Sequence, residues 1–330
     1  MATKAIVSPE TGDHKGMPDN TANAISEAGF DVRNSCITCG SGVLKELSSG
    51  RYSEDPLRRF IDNDPHGENP SPHLRNATWS FVQCEICDQK FHRRILNDEW
   101  LNIYYNRWIT HKAIEQHKES LGAIGFKANF RIGIHATERM LLLEKLTRGI
   151  RGDDPVRVLD FGCGEGKFLS ICATCGFECV GVEFSSARKK SKRVDFFPSL
   201  VKVAEEHPPG HFHAVVLFEV LEHLSRPLDV LRELRGFVKK GSVLILETPN
   251  CETVSGIQTE NDYRLIHPLG HINAFTPSTQ ERIAKEAGFV RISPCAVQCT
   301  ADMRRVYKRE ARRFLQPFSR RYTQQVFLAA

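Results

Sequence analysis

Val158-Leu-Asp-Phe-Gly-Cys-Gly-Glu-Gly-Lys-Phe-Leu169 reads as a buried strand, a tight turn and the opening of a helix. The apolar run reaches Asp160, glycines alternate at Gly162, Gly164 and Gly166, and helical spacing of apolar residues resumes at Phe168 and Leu169. Alternating glycines let the backbone turn sharply and let a ligand come closer than a Cβ would permit. The unpaired N–H groups at the helix start can receive an anionic group such as a carboxylate.

A glycine turn alone also serves packing, so the next strand matters. Val180-Gly-Val-Glu183 ends in a carboxylate about 20 residues on, where ribose hydroxyls are held in nucleotide folds. A pyridine-dinucleotide site wants G-x-G-x-x-G, whereas this turn is G-x-G-x-G preceded by an acidic residue. In that form it resembles motif I of the class I S-adenosylmethionine (SAM) methyltransferases. The resemblance implies that the turn holds the methionine part of SAM and that Glu183 accepts from the ribose hydroxyls. The cofactor-binding set it implies is Asp160, Gly162, Cys163, Gly164, Gly166, Glu183, Phe184, Phe196, Phe218 and Glu219.

Outward from that turn, residues 156 to 293 alternate strand and helix. Strands are expected near 156–161, 179–183, 194–197, 214–218, 243–247 and 289–293, with Gln325-Val-Phe-Leu328 closing the sheet. The fold class is therefore α/β: a Rossmann-like, doubly wound, mostly parallel seven-stranded sheet, with ligands at the carboxyl ends of its strands. Four regions are expected: a disordered tail over 1–34, a zinc-knuckle module with an inserted loop over 35–96, a helical linker or lid over 97–152, and the catalytic domain over 153–330.

The module rests on two Cys-x-x-Cys pairs, Cys36/Cys39 and Cys84/Cys87. Each places two thiolates on a knuckle, and two knuckles make a tetrahedral site suited to structural zinc. Residues 51–78, rich in Pro, Asn, Asp and His, read as a loop between them, with His66, His73 and His92 in solvent or one of them replacing a cysteine. The aromatic cluster Tyr104, Tyr105 and Trp108 reads as packing or as a lid over a substrate.

Ala214-Val-Val-Leu-Phe-Glu219-Val-Leu-Glu222-His223 carries the chemistry-bearing residues. Glu219, Glu222 and His223 share one face if the segment is helical. Two carboxylates beside an imidazole can orient one another, bind Mg²⁺ or Mn²⁺, or do acid–base work. His271, in the loop after the fifth strand, can complete either arrangement, so His271, His223 and Glu222 are the candidate catalytic residues. With LFEVLEHLSRPLDVLRELRGFVKKGSVLILETPN and HINAFTPSTQERIAKEAGF, the chain resembles the class I branch that includes ubiquinone-biosynthesis O-methyltransferases. The cysteine knuckles followed by Tyr104-Tyr105 resemble the N-terminal module of sugar C-methyltransferases, in which a histidine after the fifth strand acts as a base; this points to His271. The stretch Val194-Asp-Phe-Phe-Pro-Ser199 sets Asp195 inside the strand, so Phe196 or Phe197 is expected to stack on adenine in place of an acidic contact.

Composition narrows the function. The chain has 330 residues, a net charge of +5, eleven cysteines and thirteen histidines. No stretch is apolar enough to span a membrane and no secretory leader is evident, so a cytoplasmic protein with reduced thiols is expected. Cys172, Cys175 and Cys179 make a third Cys-x-x-Cys on the helix after the glycine turn and read as core thiols rather than ligands. Residues 302–321 carry Arg304, Arg305, Lys308, Arg309, Arg312, Arg313, Arg320 and Arg321 around Val306, Phe314 and Leu315, a basic amphipathic segment that reads as a solvated face or as a contact for RNA or an anionic membrane surface. The leading expectation is transfer of a methyl group from SAM to an oxygen or carbon of a small molecule. Its rivals are metal-dependent RNA 2′-O-methylation, which Glu-x-x-Glu-His also resembles, and a zinc-bearing interaction protein with a vestigial SAM fold.

Overall fold

The computed structural model describes residues 27–120, 125–184, 192, 194–292 and 322–330. The basic segment 302–321 and residues 1–26 of the expected tail lie outside the described residues. The expected tail ends early. Phe30–Val32 is a strand, β1, paired antiparallel with Arg94–Leu96, and Phe30 packs on Tyr52 with ring centroids 5.7 Å apart.

After the first knuckle come β2 (Leu44–Arg51) and α1 (Leu57–Asp62); β3 (Thr78–Cys84), β4 (Lys90–His92) and β5 (Arg94–Leu96) follow. Residues 51–78 are therefore not a bare loop. Leu57 and Ile61, four apart on α1, are buried with Leu74 among Tyr52, Trp79, Phe81, Trp100 and Trp108. The expectation of solvated histidines fails for the same reason. His92 is fully buried with Nε2 against the Ile266 carbonyl, and His73 lies between Trp100 and Trp108. His66 is half-buried with Nε2 2.9 Å from the Ile61 carbonyl.

Helix α2 (Asp98–Ile103) starts at Asn97, whose side chain accepts from Trp100 N–H at 3.0 Å, and runs into a π turn over Tyr104–Trp108. Next come α3 (His111–Ser120) and α4 (Phe126–Arg151). Ala136, Met140 and Leu143 of α4 recur at helical spacing and are buried against Val158, Cys172, Val216 and Ile245. The second half of the expected linker thus covers the main sheet, while its first half carries Tyr104.

The main sheet holds β6 (Arg157–Phe161), β7 (Glu178–Val182), β8 (Asp195–Phe197), β9 (Phe212–Phe218) and β10 (Val238–Pro249), which are parallel. It also holds β12 (Phe289–Arg291) and β13 (Tyr322–Ala329); a short β11 (Asn273–Ala274) lies elsewhere. The order is β12-β13-β10-β9-β6-β7-β8, with β13 antiparallel to both neighbours. The seven strands and their type match the expectation. Helices α5 (Lys167–Thr174), α6 (Leu200–Glu206), α7 (Pro227–Gly236) and α9 (Pro277–Glu286) connect them, and α8 (Glu260–Ile266) lies in the long segment after β10. The chain runs outward from β6 to β8 and returns beside β6 as β9, so the crevice between β6 and β9 is the switch point.

The small N-terminal sheet does not end within its own segment. Its order is β11-β4-β3-β2, so Asn273–Ala274, from the loop after β10, is its fourth strand. Lys90 Nζ donates to the Glu252 and Val254 carbonyls at 3.2 and 2.7 Å, and Gln89 Nε2 to the Ala274 carbonyl at 2.9 Å. The knuckle segment and that loop fold as one layer.

Candidate functional site

Three clusters meet the expectations to different degrees. At the mouth of β6, Gly162, Gly164 and Gly166 have φ of +79°, +58° and +72°. These left-handed values suit glycine. The Gly164 N–H donates to Glu183 Oε2 at 2.9 Å, so the turn after β6 and the carboxylate after β7 are already joined. Phe196 faces the turn, whereas Phe197 packs in the core below it. Asp195 is exposed. Phe184 is exposed beyond Glu183, edge-on to Phe161 at 5.5 Å.

Asp160 is buried, and burial with the nearby Glu183 charge pushes its carboxyl up to about 7, against the pull of Arg139. Arg139 is a residue that sequence reasoning missed. From α4 it pairs with Glu247 at the end of β10 and lies 4.0 Å from the ring centroid of Phe218 at the end of β9. Phe218 in turn stands edge-on to Phe168 at 5.1 Å. The available signal was a guanidinium one residue from Met140 on an otherwise apolar helix face. Cys163 is partly exposed beside Gly181, where a Cβ would lie 2.5 Å from its Sγ.

The second cluster lies beyond β9. Glu219 has φ +58° and Leu221–His223 is a single 3-10 turn, so Glu219, Glu222 and His223 do not share a helix face. Glu219 belongs with Glu247, whose carbonyl accepts its N–H at 2.9 Å; burial and the Glu247 charge raise its carboxyl to about 7. Glu222, His223 and His271 do converge, each offering a ligand atom within 4.8 Å of the others. Both Glu222 oxygens are buried without a hydrogen-bond partner, and burial, then the Glu219 charge, hold this carboxyl well above the usual range.

The two imidazoles are oriented by backbone. His223 Nδ1 is 3.0 Å from the Gly270 carbonyl and His271 Nδ1 3.3 Å from the Leu265 carbonyl. A ring nitrogen facing a carbonyl carries the proton, which leaves each Nε2 with its lone pair. Burial lowers His271 to about 4. His267, unnoticed in the sequence, stacks on His271 at 5.1 Å with a buried, unpartnered Nδ1. Gly270 permits this crowding: a Cβ there would lie 2.5 Å from both His267 Cε1 and the Tyr104 hydroxyl.

The third cluster is the thiol site. Cys36, Cys39, Cys84 and Cys87 all lie within 4.8 Å of one another, with Cys36–Cys87 Sγ atoms 3.4 Å apart and Cys39–Cys84 3.6 Å apart. A tetrahedral zinc with Zn–S bonds of about 2.3 Å wants sulfurs about 3.8 Å apart, so the four fit that ion. Burial pushes Cys36 up to about 11, and four thiols this close become thiolates together only around a cation. No histidine joins this group among the described residues.

A family described as a methyltransferase domain matches residues 133–293. The chain is similar to the ubiquinone biosynthesis O-methyltransferase of Xanthomonas campestris pv. campestris (strain B100), with 32% identity over 103 residues, 28% of this chain and 43% of that one. It is 32% identical over 103 residues to the protein of that name in Dechloromonas aromatica (strain RCB), covering 28% and 44%. The chain therefore spans less than half the length of these relatives. Among solved structures, a SAM dependent methyltransferase from Archaeoglobus fulgidus aligns with 62% of this chain and 100% of its own, at 18% identity and a TM-score of 0.40.

Proposed function

We propose, for a chain whose residues 133–293 carry a class I methyltransferase domain, that it transfers a methyl group from SAM to an oxygen or carbon of a small-molecule acceptor. The observation that carries this reading is the adjacency of two built sites. The glycine turn joined to Glu183 lies at the mouth of β6, and Glu222, His223 and His271 converge beyond the end of the neighbouring β9.

SAM supplies an electrophilic methyl on a sulfonium whose charge is lost on transfer, so alignment and exclusion of water matter more than charge stabilisation. Glu183 would accept from the ribose hydroxyls, Phe196 would flank the adenine, and Arg139 would pair with the methionine carboxylate. The acceptor must lose a proton, and Nε2 of His271 or His223 can take it. Tyr104 and His267, which crowd against Gly270 beside His271, would help exclude water from the acceptor.

Glu222, His223 and His271 also suit a divalent cation, since each imidazole already donates its other nitrogen to a backbone carbonyl, as metal-bound histidines do. Two imidazoles favour a transition ion over Mg²⁺; it would lower the pKa of an acceptor hydroxyl. The four cysteines would hold a structural zinc.

The test is calorimetric titration of the purified protein with S-adenosylhomocysteine, with and without Mn²⁺ or Mg²⁺, beside Glu183→Ala. Binding that falls at least about tenfold in the variant supports the reading. A folded wild-type protein that binds neither the homocysteine product nor SAM sinks it.

A further inference from the structure

Arg33 lies in the short link between β1 and the first knuckle, far in sequence from the histidine cluster. Its guanidinium rests 4.9 Å from the ring centroid of Phe91, and Phe91 packs with Cys36, Cys84 and Cys87. Among the described residues it makes no salt bridge to a carboxylate; its donors are spent on the main chain and on one amide. Nε donates to the His92 carbonyl at 2.9 Å, Nη2 to the Ile272 carbonyl at 2.8 Å, and Nη1 to Asn273 Oδ1 at 2.7 Å.

Asn273 is buried on β11, and its other end faces the opposite way. Its Nδ2 donates to the carbonyls of Leu221 at 3.1 Å and Leu224 at 2.8 Å. Those two carbonyls bracket Glu222 and His223. The amide cannot be flipped, because a guanidinium only donates and the carbonyls only accept. His271 is two residues upstream on the same strand approach, and the backbone of Asn273 pairs with Phe91.

We infer that Asn273, oriented by Arg33, is the positioning residue that sets the Glu222–His223 turn against His271. One amide thus ties three segments that are remote in sequence: the knuckle segment, the loop after β10 and the turn after β9. Leu221 and Leu224 anchor the 3-10 turn in the core and His223 Nδ1 meets the Gly270 carbonyl, while Asn273 grips the carbonyls on either side of Glu222 and His223. Its own bonds are His223 N–H to the Val220 carbonyl at 2.9 Å and Leu224 N–H to the Leu221 carbonyl at a long 3.4 Å. A turn with only two internal bonds, one of them long, takes much of its geometry from what grips its carbonyls. The inference rests on reading Glu222, His223 and His271 as the acceptor-side group, but the claim about order does not depend on any reaction.

The test is hydrogen–deuterium exchange on the full chain, read at the amides of His223 and Leu224. Asn273→Asp keeps the size and the bond to Arg33 but loses both donations to the turn. Arg33→Gln removes the guanidinium, which touches no atom of the turn. Each is expected to speed exchange at 221–224 by about tenfold, the loss of one net hydrogen bond, with 158–168 and the affinity for S-adenosylhomocysteine unchanged. The double variant is expected to exchange no faster than Asn273→Asp, because Arg33 acts through Asn273. Arg33→Lys, which keeps one donor and the charge, should restore part of the protection; it also serves if Arg33→Gln does not fold. Protection at 221–224 unchanged in Arg33→Gln or Arg33→Lys, or effects that add in the double variant, would overturn the inference. Failure of cofactor binding in the wild type would instead count against the proposed function and leave the exchange result standing.

Discussion

Gly166 and Phe196 are packed so closely that no other side chain fits at 166. A Cβ there would lie 2.6 Å from Phe196 Cζ, and φ is +72°. Gly166→Ala therefore strains the backbone by about 1 kcal/mol and displaces the Phe196 ring, which is proposed to flank the adenine. We expect Tm to fall and the affinity for S-adenosylhomocysteine to drop by about tenfold or more, with zinc content unchanged. Equal affinity by calorimetry would show that Phe196 takes no part in the cofactor site.

Arg139 should distinguish the two ends of the cofactor. If its guanidinium pairs with the methionine carboxylate, Arg139→Ala weakens S-adenosylhomocysteine by about tenfold or more, as expected for a charge-assisted bond. It should leave 5′-methylthioadenosine, which lacks the amino-acid portion, within about threefold. An equal loss for both ligands would mean that Arg139 only holds Glu247 and Phe218 in place.

The pH dependence of the cofactor-free protein follows from groups that pull in opposite directions. Asp160 rises from 3.8 to about 7 and Glu219 from 4.5 to about 7, mainly by burial. A raised folded-state carboxyl contributes stability below its unfolded value that is lost as pH rises toward 7. His271, lowered from 6.5 to about 4, and His92, lowered to about 3, lose their contribution as pH falls below 6.5. In urea unfolding, Asp160→Asn should gain on the wild type between pH 5 and pH 8 by on the order of 2 kcal/mol. A difference independent of pH would show that Asp160 is ionised throughout.

Glu222→Gln separates a neutral buried carboxyl from a charged one. With no ion present, an isosteric neutral group should change stability by less than about 1 kcal/mol. The same change should abolish binding of Mn²⁺ or Co²⁺ at the histidine cluster. A loss of several kcal/mol in metal-free buffer would instead mean that Glu222 is ionised in the resting protein.

The thiol cluster predicts one tightly bound zinc per chain. Cys87→Ser should release it and lower Tm by several degrees, while Cys175→Ser, at an exposed thiol, should do neither. Metal analysis of the two variants beside the wild type decides it; full zinc in Cys87→Ser would rule the site out.

What could be read in advance was local. Asp160, the alternating glycines and Glu183 lie within one strand–turn–helix–strand unit, and their spacing alone dictates the turn and the carboxylate beside it. The two cysteine pairs are equally self-announcing, because each knuckle is a four-residue object. Short apolar runs alternating with stretches of helical spacing likewise placed all seven strands of the main sheet. Where local pattern was ambiguous it misled. Of Glu219, Glu222 and His223, at helical spacing, the first is a left-handed residue and the other two lie in a 3-10 turn, and residues 51–78 hid α1 among polar residues.

The sequence by itself thus determined the strands, the glycine turn and each cysteine knuckle, because these are set by near neighbours and by backbone sterics that act locally. Only the tertiary structure decided that β11 joins the knuckle sheet, that Arg139 reaches Glu247, and that Asn273 bridges Arg33 to Leu221 and Leu224. Those contacts join residues 49 to 240 positions apart. Nothing in the chain's local pattern encodes such pairings: burial of two separate apolar faces brings the segments together, and the demand that every buried donor find an acceptor then selects the partners.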